Sequence, residues 1–523
     1  MTIPAGHRVS LSDVTDQPVF IPPMSSNVPH VDVLIVGAGL SGISAAWHLQ
    51  HECPGRSYAI LEAREQMGGT WDLFRYPGIR SDSDMYTLGY RFRPWRAAKA
   101  IADGPSIKAY IEETAREHGI DRHIRFGHRM VQASWSSADA RWTVDVETTG
   151  GGGRRQFTCA FLYSCTGYYD YAQGYTPDFP GRERFRGRIV HPQHWPERLD
   201  YRGQRVVVIG SGATAVTLVP AMLDGDGAAA HVTMLQRSPT YIAALPSEDA
   251  LANVLRKVLP PRVAYGLTRW KNIARSMFYY YIARTRPDTF KKALRTEARA
   301  QLGPDFPLDT HFTPRYNPWD ERLCMAPDGD LFRVLREQRA TIVTDRIAHF
   351  DETGIQLESG AHLDADLIVT ATGLRMSVLT GVTLTVDGNE IDFARELLYK
   401  GMMLSNVPNM AASVGYTNAS WTLKSDLIAQ HVCRLLDHMR THGYAQVTPR
   451  RDPSMRETPV FDFTSGYVQR AQPRLPKQGD RAPWRLYQNY LKDLVMLRHG
   501  PLDDPALEFR GAPSHPGDAR SGR

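Results

Sequence analysis

The chain has 523 residues and a formal net charge of +6, with 42% hydrophobic and 23% charged residues. That length exceeds one ordinary core and predicts two or three domains, and the composition is that of a folded, soluble protein. The mild positive balance, with no basic stripe interleaved with stacking aromatics, argues against nucleic-acid binding. Five cysteines (Cys53, Cys159, Cys165, Cys324 and Cys433) are scattered and form no C-x-x-C pair. They therefore argue against a disulfide scaffold or a zinc site and predict a reducing, cytoplasmic home. Residues 1–30 lack the apolar core of a signal peptide and read as a flexible leader. No apolar run reaches the length of about 18 residues that a spanning helix needs.

Val31-Asp-Val-Leu-Ile-Val36 is apolar at nearly every position and predicts a buried strand of a parallel sheet. It runs into Gly37-Ala-Gly-Leu-Ser-Gly42, then into a helix that starts with small residues, then into a second strand, Tyr58 to Leu61, ending at Glu62. In this context the glycines predict a dinucleotide site. Gly37 serves the tight turn, Gly39 the approach of a pyrophosphate, and Gly42 the packing of helix on sheet; Glu62 is placed to meet ribose hydroxyls. The helix N-terminus adds N–H groups and partial positive charge.

Further along, Gly104 to His118 reads as helix and Val131 to Val146 as hairpin strands. Phe161 to Gly167 reads as a strand ending in glycine. A second turn, Gly210-Ser-Gly-Ala-Thr-Ala215, follows Val206-Val-Val-Ile209. Its next strand ends in Gln236-Arg237-Ser238 instead of an acid. Arg237 and Ser238 suit a 2′-phosphate, so Gly210, Gly212, Thr214, Arg237 and Ser238 predict an NADP(H) site. Ala250 to Leu302 turns helical, basic and aromatic. Two readings of that segment stay open: a helical cap whose aromatic face packs on the core, or a contact with a membrane surface. Asp366 to Gly373 is a further buried strand ending in glycine.

The fold class that follows is α/β, with two Rossmann-like dinucleotide-binding domains and a helical insertion. The predicted organisation is a leader (1–30), an FAD-binding domain in two parts (31–175 and 367–502), an NADP-binding domain in two parts (176–240 and 330–366), the insertion (241–329) and a loose tail (503–523). Two dinucleotide sites without a redox cysteine pair point to electron transfer between FAD and NADPH rather than to a disulfide reductase.

Between the two turns lies Phe185-Arg-Gly-Arg-Ile-Val-His-Pro-Gln-His-Trp-Pro196. Through Phe185, Gly187, His191, Trp195 and Pro196 it resembles the fingerprint of the Baeyer–Villiger monooxygenases, a family of class B flavoprotein monooxygenases. A second motif of that family matches Gly69, Trp71, Tyr76, Pro77, Gly78 and Asp82. The segments 314–324, 415–424 and 482–489 look most like the ethionamide-activating branch. The resemblance implies an NADPH-dependent FAD enzyme. It would insert one atom of O2 beside a ketone carbonyl, through a flavin peroxide, giving an ester or lactone. N- or S-oxygenation of a thioether-like substrate is the alternative. The resemblance also adds Gly69, Trp71, Asp82 and Tyr86 to the cofactor-binding set. Arg322 becomes the permanent cation beside the reacting oxygen, with Asp82 orienting it. His191 reads as a hydrogen-bonding hinge residue between the nucleotide domains and not as a catalytic base.

Overall fold

The computed structural model describes residues 28–321 and 323–512. Two sheets organise it. The first joins a parallel set to an antiparallel one. His30–Val36 lies between Tyr58–Leu61 and Arg154–Ser164, parallel to both, with Val33 opposite Tyr58 on one side and Phe161 on the other. Arg154–Ser164 continues antiparallel into Arg141–Thr148 and His128–Ser136, the expected hairpin. The alternation of His30–Val36 serves two cores. Val33 and Ile35 pack with Ile43 and Leu49 of the helix Leu40–Glu52. Leu34 and Val36 face the other way, toward Trp135 and Trp142 of the hairpin.

The second sheet is wholly parallel and five-stranded: Ala340–Thr344, His231–Gln236, Arg205–Ile209, Leu367–Thr370 and Arg188–Val190, in that order. Both its faces are covered, as a parallel sheet requires. Val206 and Val208 pack on Val216 and Val219 of the helix Ala213–Ala221. Val207 and Ile209 meet Phe185, Phe350 and Ile368 on the other face.

The strand Leu367–Thr370 corrects the sequence-based boundary. It was placed at the start of the returning FAD domain, yet it pairs with Arg205–Ile209 in the second sheet, Leu367 opposite Val206. The chain leaves that sheet only afterwards. The expected loose tail after Asp503 is corrected in part as well. Leu507–Gly511 forms a strand antiparallel to Tyr444–Pro449, with Leu507 buried. Nearly all of the predicted leader, and the end of the tail from residue 513, lie outside the described residues.

The chain passes between the two sheets twice, outward along Tyr169–Gly174 and back along Leu374–Met376. These two segments pair antiparallel. The predicted insertion holds three long helices, Ala250–Val258, Pro261–Thr285 and Pro287–Leu302, and a single helical turn, Leu308–His311. It also holds two parallel strands that its composition did not announce, Tyr241–Leu245 and Leu323–Pro327. Among the described residues no helix is long and apolar enough to cross a membrane.

Candidate active site

The helix Leu40–Glu52 begins at Gly39 with no side-chain cap and no acidic residue in its first turn. The helix Ala213–Ala221 begins at Gly212 in the same way. Other helices differ: Asp103 accepts from Ser106 N and Asp249 from Ala252 N, while Pro261–Thr285 and Trp421–His442 are uncapped but start at Pro260 and Ser420 rather than at a glycine turn. In the two glycine-turn helices the bare N-terminal amides follow directly on a strand of one of the two main sheets. Such an end is suited to an anion, since its N–H groups and partial positive charge go uncompensated by side chains.

Backbone geometry explains the glycines of the first turn. Gly37 has φ +104°, and a Cβ there would stand 2.5 Å from the carbonyl oxygen of Cys165. At Gly42 a Cβ would stand 1.9 Å from the carbonyl oxygen of Gly37. Gly39 lies against Gly69 of the second motif, 3.5 Å from its Cα by the same construction, so two glycines face each other on the cavity wall.

Glu62 ends the second strand and is buried. Oε2 accepts from Ala38 N at 2.9 Å and Oε1 from Arg64 N at 3.0 Å. Each oxygen keeps a lone pair for a further donor such as a ribose hydroxyl. Burial raises its pKa against the opposing pull of these two N–H groups. Arg64 also donates to the carbonyl of Gly69 and pairs with the buried carboxylate of Asp72, which Lys108 meets at 2.7 Å. This cluster fixes the second motif to the end of the strand that carries Glu62.

The second motif then reaches across to the other nucleotide unit. Phe74 and Tyr76 belong to the core of the second sheet. The Tyr76 phenol, pushed up to about 12 by burial, hydrogen-bonds Thr214 of the second turn. A Cβ at Gly78 would lie 2.5 Å from that of Ala221, so only glycine lets the loop rest on the second-turn helix. Ser211 of the second turn donates to the Ser238 carbonyl at 3.1 Å, which sets the predicted 2′-phosphate residues beside the turn. Arg237 is exposed, and its charge is felt by Glu321.

One cavity of about 1120 Å³ joins these parts. Of the residues named from the sequence, Gly37, Gly39, Glu62, Gly69, Trp71, Asp82 and Thr214 line it. Gly42 lies beneath the turn. Gly210, Gly212, Arg237 and Ser238 are not on its wall. Tyr86 is 1% exposed and lies behind the wall, its ring 6.0 Å from that of Tyr265. Arg322 falls outside the described residues; Trp319 and Leu323 on either side of it line the cavity. The remaining wall comes from Tyr168, Tyr169, Asn418 and Trp421, and from Arg275 and Tyr279 of the insertion. Motif reading missed these residues, because they converge only in three dimensions.

Two Rossmann-like units over one shared cavity define the class: a two-dinucleotide α/β protein with its reaction space at the junction. Comparison with known proteins carries this further. A family model for flavin-binding monooxygenase-like proteins matches residues 101–253, and one for an NAD(P)-binding Rossmann-like domain matches residues 35–101. The FAD-containing monooxygenase EthA of Mycolicibacterium smegmatis is 56% identical over 481 residues, 92% of this chain and 97% of the relative. EthA of Mycobacterium tuberculosis is 54% identical over 486 residues, 93% and 99% of the two chains. Among solved structures, an oxidized steroid monooxygenase bound to NADP superposes with a TM-score of 0.70 at 22% identity, covering 92% of this chain and 100% of that one. OTEMO in complex with FAD and NADP gives 0.72 at 20% identity, with the same coverages. The chain belongs to the family of FAD-containing monooxygenases that includes EthA.

Proposed function

We propose that this monooxygenase is of the Baeyer–Villiger type, using FAD and NADPH to insert one oxygen atom from O2 beside a ketone carbonyl and release an ester or lactone. The observation that carries the reading is the shared cavity. Its wall holds the first turn, Glu62, the Gly69–Asp82 motif and Thr214 of the second turn. The residues present fit both cofactors: an uncapped, acid-free helix end stands at each turn, and Glu62 keeps free lone pairs.

In this reading Gly37, Gly39 and the amides of Leu40–Glu52 hold the FAD pyrophosphate, and Glu62 holds its ribose. Gly210, Gly212 and Thr214 hold the pyrophosphate of NADPH, while Arg237 and Ser238 meet its 2′-phosphate. Bound flavin, reduced by the nicotinamide, supplies the activation of O2. The protein positions the two cofactors and excludes bulk water. Arg322 contributes a cation that cannot lose its proton, and so stabilises negative charge at the reacting oxygen. Asp82, on the cavity wall, orients that guanidinium and the nicotinamide amide.

The test is NADPH consumption and product mass with a panel of aliphatic, cyclic and aryl ketones plus a thioether. Gain of one oxygen atom with ester as the main product supports the reading. Sulfoxide as the sole product assigns the chain to heteroatom oxygenation, and hydrogen peroxide alone removes both. Arg322→Ala is expected to let NADPH bleach the flavin but to abolish ester formation. Full ester yield from that variant would sink the role given to Arg322.

A further inference from the structure

The insertion exposes an apolar surface, most of which lies off the cavity wall. Of the twelve large apolar side chains exposed among the described residues, eleven fall on Ala250–Val258, Pro261–Thr285 and the segment 491–495. On the long helix Val263, Leu267, Trp270 and Phe278 recur at helical spacing and form one outward stripe. The opposite face, with Ala264, Tyr265, Thr268 and Ile273, is buried against the first nucleotide unit. At about 1.5 Å per residue the stripe from Val263 to Phe278 is roughly 22 Å long. Trp270 lies 5.8 Å from Tyr490, which makes the 491–495 patch continuous with it.

Charge is segregated in the same place. From Ala250 to Arg286 the sequence holds no Asp or Glu and eight Lys and Arg, of which Arg269 is buried and Lys271 and Arg284 pair with Asp249 and Asp320. Lys257, Arg262 and Arg275 are exposed there. An apolar stripe flanked by exposed cations such as Lys257, Arg262 and Arg275 suits the interface of an anionic bilayer, where the side chains enter the headgroup boundary and the cations meet phosphates. A second copy of the chain is a poor occupant, since two-fold pairing of this face would set like charges against each other.

The cavity reaches the same face. Leu251 and Tyr279, 51% and 46% exposed, belong both to the apolar surface and to the cavity wall. The geometry points to a peripheral membrane-docking face, formed by Ala250–Val258, Pro261–Thr285 and the 491–495 segment, that seats on anionic phospholipid with the cavity mouth turned toward it. An apolar substrate dissolved in the bilayer then meets the mouth without crossing water. That consequence rests on the function proposed above, whereas the docking itself does not.

The experiment is sedimentation of the flavin-loaded protein with vesicles of equal parts phosphatidylglycerol and phosphatidylcholine, and with pure phosphatidylcholine, at low and high salt. Binding is expected to the anionic vesicles only, and to weaken with salt. The triple variant Val258→Ser, Leu267→Ser, Phe278→Ser, none of it on the cavity wall, is expected to bind at least about tenfold more weakly. The double variant Lys257→Glu, Arg262→Glu is expected to lose about tenfold or more. Both should keep the flavin content and the soluble NADPH oxidation of the wild type, which separates lost docking from lost folding or lost catalysis. Failure of the wild type to pellet with anionic vesicles overturns the inference. So does equal binding by the triple variant, or a concentration-dependent dimer that the triple variant dissolves.

Discussion

His48 ties the helix of the first glycine turn to the C-terminal part of the chain, and its titration should be visible in the stability of the whole unit. The ring is 0% exposed, with Nδ1 2.8 Å from Glu52 and Nε2 2.8 Å from Asp426. Both nitrogens meet carboxylates, so both donate and the ring carries a proton. Burial works against that charge, but the hydrogen bonds and charges of Asp426 and Glu52 outweigh it and raise the pKa from 6.5 to about 8. Arg91 shares the Asp426 carboxylate at 3.3 Å.

A folded pKa above the unfolded one gives a contribution that is fully present below 6.5 and lost as pH rises through about 8. The rise corresponds to about 2 kcal/mol. Asp426 is held down to about 2, chiefly by His48 against the cost of burial, so its own share is lost only as pH falls from 3.8 through that value. For a chain of this size 1 kcal/mol moves the melting temperature by about 1 °C. His48→Gln keeps the volume and one hydrogen bond but not the charge. Its melting temperature should therefore fall further below wild type at about pH 6 than at about pH 9, by about 2 °C. Scanning calorimetry of both proteins at the two pH values measures this, and the comparison removes every other titrating group. The same gap at both pH values would refute the charged ring.

Three substitutions test the nucleotide geometry. Gly42→Ala places a Cβ where the Gly37 carbonyl stands, 1.9 Å away, and should cut the flavin-to-protein ratio severalfold on purification; an unchanged ratio would show that the turn tolerates displacement. Gly174→Ala places a Cβ 2.1 Å from Cε1 of His191 and should slow flavin reduction by NADPH in stopped flow while flavin content holds. A wild-type reduction rate would remove His191 from domain positioning. Arg237→Ala should raise the KM for NADPH about tenfold with little change in kcat, as for an interaction equally present in ground and transition states. If the wild type uses NADH and NADPH equally well, Arg237 does not read the 2′-phosphate.

Both β-α-β units were legible in the sequence because their signals are local: a strand, a glycine turn and a helix within about thirty residues. Glu62 was legible for the same reason. The cavity wall was not, since Gly37, Asn418 and Tyr279 come together through sheet pairing that one sequence does not display. The His48–Asp426 contact spans 378 positions, and the buried Lys424–Asp493 pair joins a helix to a turn far downstream. Tyr86 stands off the cavity wall because Met85–Leu88 is a single turn, with Thr87 and Leu88 on the wall and Met85 and Tyr86 in the core. The insertion was ambiguous for a different reason. Its long helix is apolar on two faces, and periodicity does not say which one the core takes.

The stretch Phe185–Pro196 identifies the family, but its place in the fold is mechanical. Phe185 anchors one face of the second sheet, and Gly187 could carry no Cβ without meeting the Asp366 carbonyl at 2.5 Å. His191 sits beside the antiparallel pair on which the chain crosses between the nucleotide units. Its Nε2 is 3.2 Å from the carbonyl of Gly373, next to Leu374–Met376, and its ring covers Gly174 at the end of Tyr169–Gly174. Its Nδ1 accepts from Gln193 N at 3.2 Å, and Gln193 in turn donates to the Asp170 carbonyl at 2.8 Å. These partners assign the single proton to Nε2. Protonation of Nδ1 would set a donor against the Gln193 N–H, and burial already lowers the ring's pKa. The neutral ring is thus selected twice over, by solvation and by geometry. It is also absent from the cavity wall, so it has no path to a reacting atom. In the function proposed above, a residue fixed in one protonation state at the crossing of two linkers would help to set the angle between the units, and with it the approach of nicotinamide to flavin.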